Sequence, residues 1–111
     1  MVYGLNRLDR RGRIAFRAIK TLLGWVPGTQ LGLRVTQGAA IFSPLLDGPH
    51  AVNAASHLFL SCGLRRRLGL EHEGTQVLLA ADSSNDRLVL FPVGFLESLV
   101  GSLAEAESGD L

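Results

Sequence analysis

Hydrophobic residues recur at every second position in Leu31, Leu33 and Val35. This period of two places the three side chains on one face of an extended chain and predicts a half-buried β-strand. The turn residues Gln37-Gly38 follow, and the segment Ala39 to Ser43 returns as the second strand of a hairpin. A second hairpin is predicted by apolar runs on both sides of the turn formers Ser83-Ser84-Asn85-Asp86.

Three other segments carry apolar residues at helical spacing, and the first two end at a glycine, Gly24 or Gly69. The apolar positions are Phe16, Ile19, Leu22 and Leu23 in the first segment, Leu64 and Leu68 in the second, and Phe95, Leu96, Leu99, Val100 and Leu103 in the third. The whole pattern predicts a mainly β fold with short helices (α+β) and a closing amphipathic helix.

Two stretches of the chain resemble each other. Leu22-Leu23-Gly24-Trp25 with Gly28-Thr29-Gln30-Leu31 returns as Arg67-Leu68-Gly69-Leu70 with Gly74-Thr75-Gln76-Val77. Each unit is too small to bury its own apolar surface, so we expect the units to share one core with each other or with a second chain. We assign residues 1–45 to the first unit, 46–53 to a linker, 54–92 to the second unit, and 93–111 to the helix and an acidic tail.

The net charge is +1, but the charged residues are distributed unevenly along the chain. Residues 1–20 carry six basic side chains and one acidic one, whereas residues 93–111 carry four acidic side chains and no basic one. A basic end is typical of proteins that bind a polyanion. The apolar run 88–96 is too short to span a membrane, and no apolar signal segment precedes the basic residues, so we expect a cytoplasmic protein with no membrane contact.

Candidate enzyme chemistry is confined to Ser61-Cys62-Gly63 near His57. Nearness in sequence shows neither a base within reach of a nucleophile nor a group that orients it, and we expect the lone Cys62 to be a small buried side chain. The three histidines lack companion ligands at metal-binding spacing. We therefore expect no catalytic residues, no metal and no cofactor.

One ordered set of motifs occurs in the first unit and more loosely in the second. It runs Leu8-Asp9-Arg10-Arg11-Gly12-Arg13-Ile14, a short helix, Leu-Gly and an apolar residue, Pro27-Gly28-Thr29, a strand, a hairpin, and a strand that ends in proline. This order resembles the AbrB/MazE/SpoVT family of swapped-hairpin DNA-binding domains over residues 5–44 and 54–92. The resemblance implies a tandem AbrB-like swapped-hairpin β-barrel followed by a C-terminal helix.

The resemblance also implies a function, namely sequence-specific binding of double-stranded DNA by a small transcriptional regulator. Arginines on a glycine-bent loop can reach phosphates and the edges of guanine. The residues that we expect to contact DNA are Arg7, Arg10, Arg11, Arg13 and Arg17. The cluster Arg65-Arg66-Arg67 lies on a predicted helix, where solvation and DNA contact both remain open.

The second unit departs from the family pattern. Ser56-His57 stands where Gly-Arg is expected, and Ser61 stands where the family usually has proline. The second unit therefore has a degenerate DNA-binding loop, and we expect a homodimer, which would supply two equivalent basic loops. Two alternatives stay open: an antitoxin that represses its own operon and binds a toxin through its C-terminal segment, and an oligomerisation module of the same fold that binds no DNA.

Overall fold

The chain folds into antiparallel β-structure with short helices between the strands, and the computed structural model describes residues 1–70 and 75–109. Within these residues the strands are β1 (Val2–Arg7), β2 (Arg13–Ala15), β3 (Gln30–Thr36), β4 (Ala39–Pro44), β5 (His50–Ala51), β6 (His57–Phe59), β7 (Gln76–Asp82) and β8 (Arg87–Pro92). The helices are α1 (Arg17–Thr21), α2 (Cys62–Arg67) and α3 (Val93–Gly109). The prediction of a mainly β fold with short helices is confirmed.

Both predicted hairpins are present. Gln37 and Gly38 join β3 to β4 with φ angles of 50° and 80°, which is the pair of positive angles that a tight hairpin turn requires. A 3-10 turn at Ser83–Asn85 joins β7 to β8, and Asp86 closes it in the left-handed region. The two hairpins then pair with each other through β4 and β8.

The strand pairs cross between the two halves of the chain. The main sheet has the order β1-β7-β8-β4-β3-β5, so β1 of the first half extends the hairpin of the second, and β5 extends the hairpin of the first. Equivalent backbone bonds follow these strands: Leu8 N–H donates to Thr75 O at 3.0 Å, and Val52 N–H donates to Thr29 O at 3.2 Å. Since β5 precedes β6 as β1 precedes β2, the second half of the structure begins at β5, within the predicted linker, and each hairpin gains its outer strand from the other half.

A separate two-stranded ribbon joins the halves a second time. Strands β2 and β6 are antiparallel, with Ile14 opposite Leu58 at the centre of the register. Both of these side chains are fully buried. The pairs on either side of this centre are Arg13 with Phe59 and Ala15 with His57. Exchanging the two halves of the chain exchanges these two pairs, so the ribbon lies on the approximate twofold axis that relates the halves.

One hydrophobic cluster draws on both halves of the chain, which confirms that the units share a core. Trp25 and Leu70 are both buried in it, as their equivalent positions in the repeat predict. The indole Nε1 of Trp25 donates to Asp86 Oδ1 at 2.9 Å, so the polar edge of this ring is satisfied by the turn of the second hairpin. Gly74 of the repeat lies outside the described residues.

The segment 46–53, which the sequence suggests is a linker, also contributes strand β5. This strand has two residues and follows Asp47-Gly48-Pro49, so its local sequence is typical of a turn. Its extended state arises from pairing with Gln30 and Leu31 of β3. Strand β1 is likewise an element that the periodicity of the sequence did not predict.

The helices begin and end close to the predicted signals. Gly24 and Gly69 follow α1 and α2 with φ angles of 68° and 71°, as expected for helix-ending glycines. Helix α1 is shorter than its apolar pattern indicates, since it ends at Thr21 and leaves Leu22 at the surface. Among the described residues, none of the helices has the length and apolar character that a membrane crossing requires.

The crossing of the chain into β5 generates a testable prediction at Gly48. A Cβ at this position would lie 2.3 Å from the carbonyl oxygen of Leu31, which belongs to the backbone of β3 and cannot rotate away. We expect Gly48→Ala to lower the free energy of unfolding in urea by about 1–3 kcal/mol. Gly63→Ala is the control, because a Cβ there meets no atom within 4 Å and a helix gains up to about 1 kcal/mol from the change. Equal effects of the two substitutions would contradict the packing of Gly48 on β3.

Candidate nucleic-acid interface

The first loop, residues 9–13 between β1 and β2, is built around the side chain of Asp9. Its Oδ1 accepts the backbone N–H groups of Arg11 at 2.9 Å and Arg13 at 2.8 Å. Asp9 N–H donates to Arg13 O, and Gly12 N–H donates to Asp9 O, each at 3.0 Å. Gly12 has a φ of 78°, a conformation that glycine adopts at little cost. The loop is therefore a tight and internally bonded turn.

This loop presents three arginines in two different ways. Arg10 and Arg11 are exposed at its tip. Arg13 is half-buried, and its Nε donates to Asp9 Oδ2 at 2.8 Å. The Asp9 carboxylate thus orients the Arg13 guanidinium, and the other two arginines of the loop are exposed residues.

A fourth arginine, Arg65 of α2, lies directly against the first loop. A Cβ on Gly12 would be only 3.0 Å from Arg65 Nε and Cζ, so the guanidinium packs on the glycine. The Nε atom is buried and has no hydrogen-bond partner among the described residues. Leu60 N–H donates to Gly12 O at 2.8 Å and fixes the approach of α2 to the loop. Arg66 and Arg67 of the same cluster are exposed.

The remaining two predicted DNA-contact residues lie elsewhere. Arg7 lines a cavity of about 540 Å³ together with Arg67, Gln76 and Phe95. Arg17 lines a different cavity of about 440 Å³ on α1. Of the five arginines chosen from the sequence, the structure therefore gathers Arg10, Arg11 and Arg13 in one loop and places Arg7 and Arg17 in two other environments.

The second loop, residues 53–57, repeats the backbone of the first. Asn53 Oδ1 accepts the N–H groups of Ala55 at 3.0 Å and His57 at 2.8 Å. Asn53 N–H donates to His57 O, and Ser56 N–H donates to Asn53 O, each at 3.0 Å. Ser56 has a φ of 62° where Gly12 has its positive φ. The second loop thus keeps the turn although Ala54, Ala55 and His57 replace its arginines.

The ribbon determines where the two loops lie relative to the helices. Because β2 and β6 are antiparallel, with Arg13 opposite Phe59 and Ala15 opposite His57, the loops lead into opposite ends of the ribbon. The first loop meets α2, whereas the second meets α1. Arg17 and Lys20 of α1 line the 440 Å³ cavity together with residues of the second loop, Ala55, Ser56 and His57.

Both loops therefore have a cation from a neighbouring helix. Lys20 and Arg65 hold equivalent positions in the repeat, since Lys20 lies four residues before Gly24 and Arg65 lies four residues before Gly69. Arg65 packs on the first loop and Lys20 lies beside the second. The arrangement can bind a polyanion along the ribbon, with its highest density of arginine at the first loop.

The hydrogen bonds of the first loop lower the pKa of Asp9 below its ordinary value. The backbone N–H of Arg13 makes the largest contribution, and the Arg13 side chain and the Arg11 N–H act in the same direction. Each of these donors favours the charged carboxylate. Asp9 is therefore an ionised anchor of the loop near neutral pH.

Cys62 is exposed, so the expectation that it is buried is wrong. Helix α2 buries Leu64 and Leu68, and a residue two positions before Leu64 lies on the far side of the helix. The neighbouring Ser61 caps α2, with its hydroxyl oxygen accepting Leu64 N–H at 3.2 Å. In the described part of the chain, no three His, Cys, Asp or Glu side chains form a group that could hold a metal ion. His72 lies outside that part.

The loops, the ribbon and the crossed strands define a small β-protein with two equivalent loops, of which one is rich in arginine. Comparison with known proteins adds no family to this description: no protein-family model matches the chain, and no curated protein matches its sequence. The candidate site is therefore defined by its own residues and geometry.

The anchoring role of Asp9 predicts a pH dependence. Since folding lowers the pKa of this carboxyl, its stabilising contribution is present above the unfolded pKa of about 4 and is lost as pH falls through the folded pKa. Asp9→Asn keeps an Oδ1 acceptor, as Asn53 does in the second loop, but cannot be protonated in this range. We expect the variant to be less stable than the wild type at about pH 7 and to lose less stability on acidification to about pH 3.

Urea unfolding at several pH values measures this difference. Glu97→Gln is a control that removes a carboxylate from an exposed position on α3. If the wild type and Asp9→Asn lose stability in parallel as pH falls, the lowered pKa of Asp9 does not contribute to folding.

Proposed function

We propose that this chain binds double-stranded DNA sequence-specifically as a small transcriptional regulator and that its first loop makes the principal contacts. The observation that carries the proposal is the arginine cluster at that loop, in which Asp9 and Gly12 shape the turn and Arg65 packs behind it. A loop of this kind can bring several guanidinium groups to phosphates and base edges at once.

The strand exchange supports the AbrB-like interpretation of the fold. In a swapped-hairpin barrel each half completes the hairpin of the other, and the pairs β1·β7 and β5·β3 have this arrangement. The ribbon of β2 and β6 adds the second connection between the halves. The proposal places one such barrel in a single chain, with DNA bound across the loops at the two ends of the ribbon.

The arginines of the first loop have different proposed roles. Arg10 and Arg11 are exposed and suit phosphates, which contribute affinity and salt dependence. Arg13 is held at its Nε by Asp9, so its terminal nitrogens are oriented before DNA arrives. Such an arginine loses less side-chain entropy on binding and suits a base edge.

The role of the loop tip can be tested with the double substitution Arg10→Ala and Arg11→Ala. We expect weaker binding of a labelled duplex from the upstream region of the gene, measured by fluorescence anisotropy over a salt series. The slope of log affinity against log salt should fall by about 0.9 for each phosphate contact that is lost. Arg34→Ala is the control, compared with the double variant per positive charge removed, because Arg34 is exposed on β3 and lines a groove with Ser43 and Arg87 instead of the loops.

Two results would contradict the proposal. Equal losses of binding free energy per charge removed in the double variant and in Arg34→Ala would mean that charge acts without regard to position. Flat anisotropy with several duplexes at low salt would instead favour the oligomerisation module without DNA binding.

One observation favours the antitoxin as a second candidate function. The beginning of α3 packs on the sheet, where Phe95 stacks on Phe91 at 5.6 Å between ring centroids. Farther along, Leu99, Val100 and Leu103 are 48%, 65% and 71% exposed and have the spacing of one helical face. An apolar helix face of this kind is typical of a segment that docks in a groove of another protein.

The charge of α3 indicates the chemistry of that partner. Glu97 and Glu105 are exposed at either end of the apolar face. A basic protein surface with an apolar groove would complement both features, as a ribonuclease toxin would. In this candidate function the loops bind operator DNA while α3 binds the toxin.

Substitutions on α3 test the second candidate function. The product of a gene adjacent to that of this chain is the probe, and isothermal titration measures its binding. We expect Leu99→Asp with Leu103→Asp to weaken the complex by about a hundredfold or more, since both changes place charge in the apolar contact. Ser102→Asp is the control on an exposed polar position of the same helix. Self-association of the chain through α3, or a complex that the double variant leaves intact, would overturn the toxin assignment.

A further inference from the structure

The two loops have the same backbone but different side chains. Both turns are closed by the same pattern of hydrogen bonds, which starts from Asp9 in one and Asn53 in the other. The first loop carries three arginines, and the equivalent positions of the second carry two alanines and a histidine. The scaffold for two DNA contacts is therefore present, whereas the side chains for base recognition are concentrated on one side.

We infer that one chain recognises base sequence on only one side of its DNA site. The first loop contacts base edges in one half of the site, and Arg17 and Lys20 hold the other half through its phosphates. This inference rests on the proposed DNA-binding function and specifies the kind of site that the protein recognises.

The chemistry of the second loop supports this asymmetry. Ala54 and Ala55 have no side-chain donor, so they cannot make the phosphate contacts proposed for Arg10 and Arg11. His57 stands in place of Arg13, and its Nδ1 is buried without a hydrogen-bond partner among the described residues. The second loop therefore has a short, partly buried imidazole at the position where the first loop has the long side chain of Arg13.

The cations beside the second loop are suited to phosphates. Arg17 and Lys20 are both exposed, and they border the cavity that contains Ala55 and Ser56. Lysine acts as a compact point charge without the planar fork that recognises guanine. Since Lys20 is the positional equivalent of Arg65, a helix cation is present on each side of the approximate twofold axis, but loop arginines are present on one side only.

A twofold arrangement of loops normally requires a palindromic site, because equivalent elements meet equivalent half-sites. Here the two elements are not equivalent. The expected site is therefore a single half-site, and the DNA beyond it contributes affinity without sequence preference.

Selection from a pool of duplexes with a random central region tests the inference with the unmodified protein. We expect the selected motif to occupy one half of the protected region and to be bound by one chain per duplex. Two altered duplexes should then behave differently. Inverting the half that carries the motif should abolish specific binding, whereas inverting the other half should leave the affinity unchanged.

A second-loop arginine variant provides the complementary test. Asn53→Asp, Ala54→Arg, Ala55→Arg, Ser56→Gly and His57→Arg together reproduce the side chains of the first loop on a turn that already has its backbone. We expect this variant to prefer an inverted repeat of the half-site by about tenfold or more over a single half-site. The control adds the same number of arginines on α3 through Leu99→Arg, Ser102→Arg and Leu103→Arg, which should raise affinity for all duplexes and leave the motif unchanged.

Lys20→Ala distinguishes phosphate contact from base recognition on the second side. It should weaken binding to every duplex by a similar factor and leave the selected motif unchanged. A changed motif would mean that α1 recognises bases.

The outcomes separate this inference from the proposed function. Absence of binding to any duplex overturns both. A palindromic motif selected by the wild type overturns the asymmetry alone and leaves DNA binding in place. The selection with unmodified protein shows whether the motif is asymmetric or palindromic even if the arginine variant does not fold.

Discussion

The structure depends on the exchange of strands between the two halves of the chain. A hairpin of two strands is at best marginally stable in water, and each hairpin here gains a further strand from the opposite half and pairs with the other hairpin. Neither half has a complete sheet or a closed core without its counterpart. Because Ile14 and Leu58 are buried opposite each other where β2 meets β6, the core and the ribbon form together.

The same exchange positions the candidate site. The loops follow β1 and β5, so strand pairing in the main sheet fixes one end of each loop and pairing in the ribbon fixes the other. Short loops held at both ends lose little conformational entropy when they bind a ligand. The internal bonds of Asp9 and Asn53 add to this restraint. The rigidity of the site is therefore a property of the fold as a whole, and the arginines supply the charge.

The sequence predicts local features well and long-range ones poorly. Turn residues and apolar spacing predicted both hairpins and the three helical segments, because these signals act over a few neighbouring residues. They did not predict β5, whose turn-like sequence is extended only because β3 pairs with it. These signals also did not predict which of the three consecutive arginines 65–67 contacts the first loop. Helix phase alone does not show which side of α2 faces that loop, and in the structure the contact is made by Arg65. The exposure of Cys62, by contrast, follows from the helix phase once Leu64 and Leu68 are known to be buried.

The presence of both halves in one chain permits their loops to differ. In a symmetric homodimer one sequence encodes both loops, so a substitution that removes an arginine removes it on both sides of the axis. When each half has its own residues, the backbone of the second loop can be kept while its charge is lost. Ser56 illustrates this separation of backbone from charge. It keeps a left-handed conformation that costs a non-glycine residue about 1–2 kcal/mol, although its loop contains no arginine. The turn at Asn53 to His57 joins β5 to β6 whatever its side chains carry, whereas the arginines of the first loop are not needed for that connection, and we propose that they serve DNA binding.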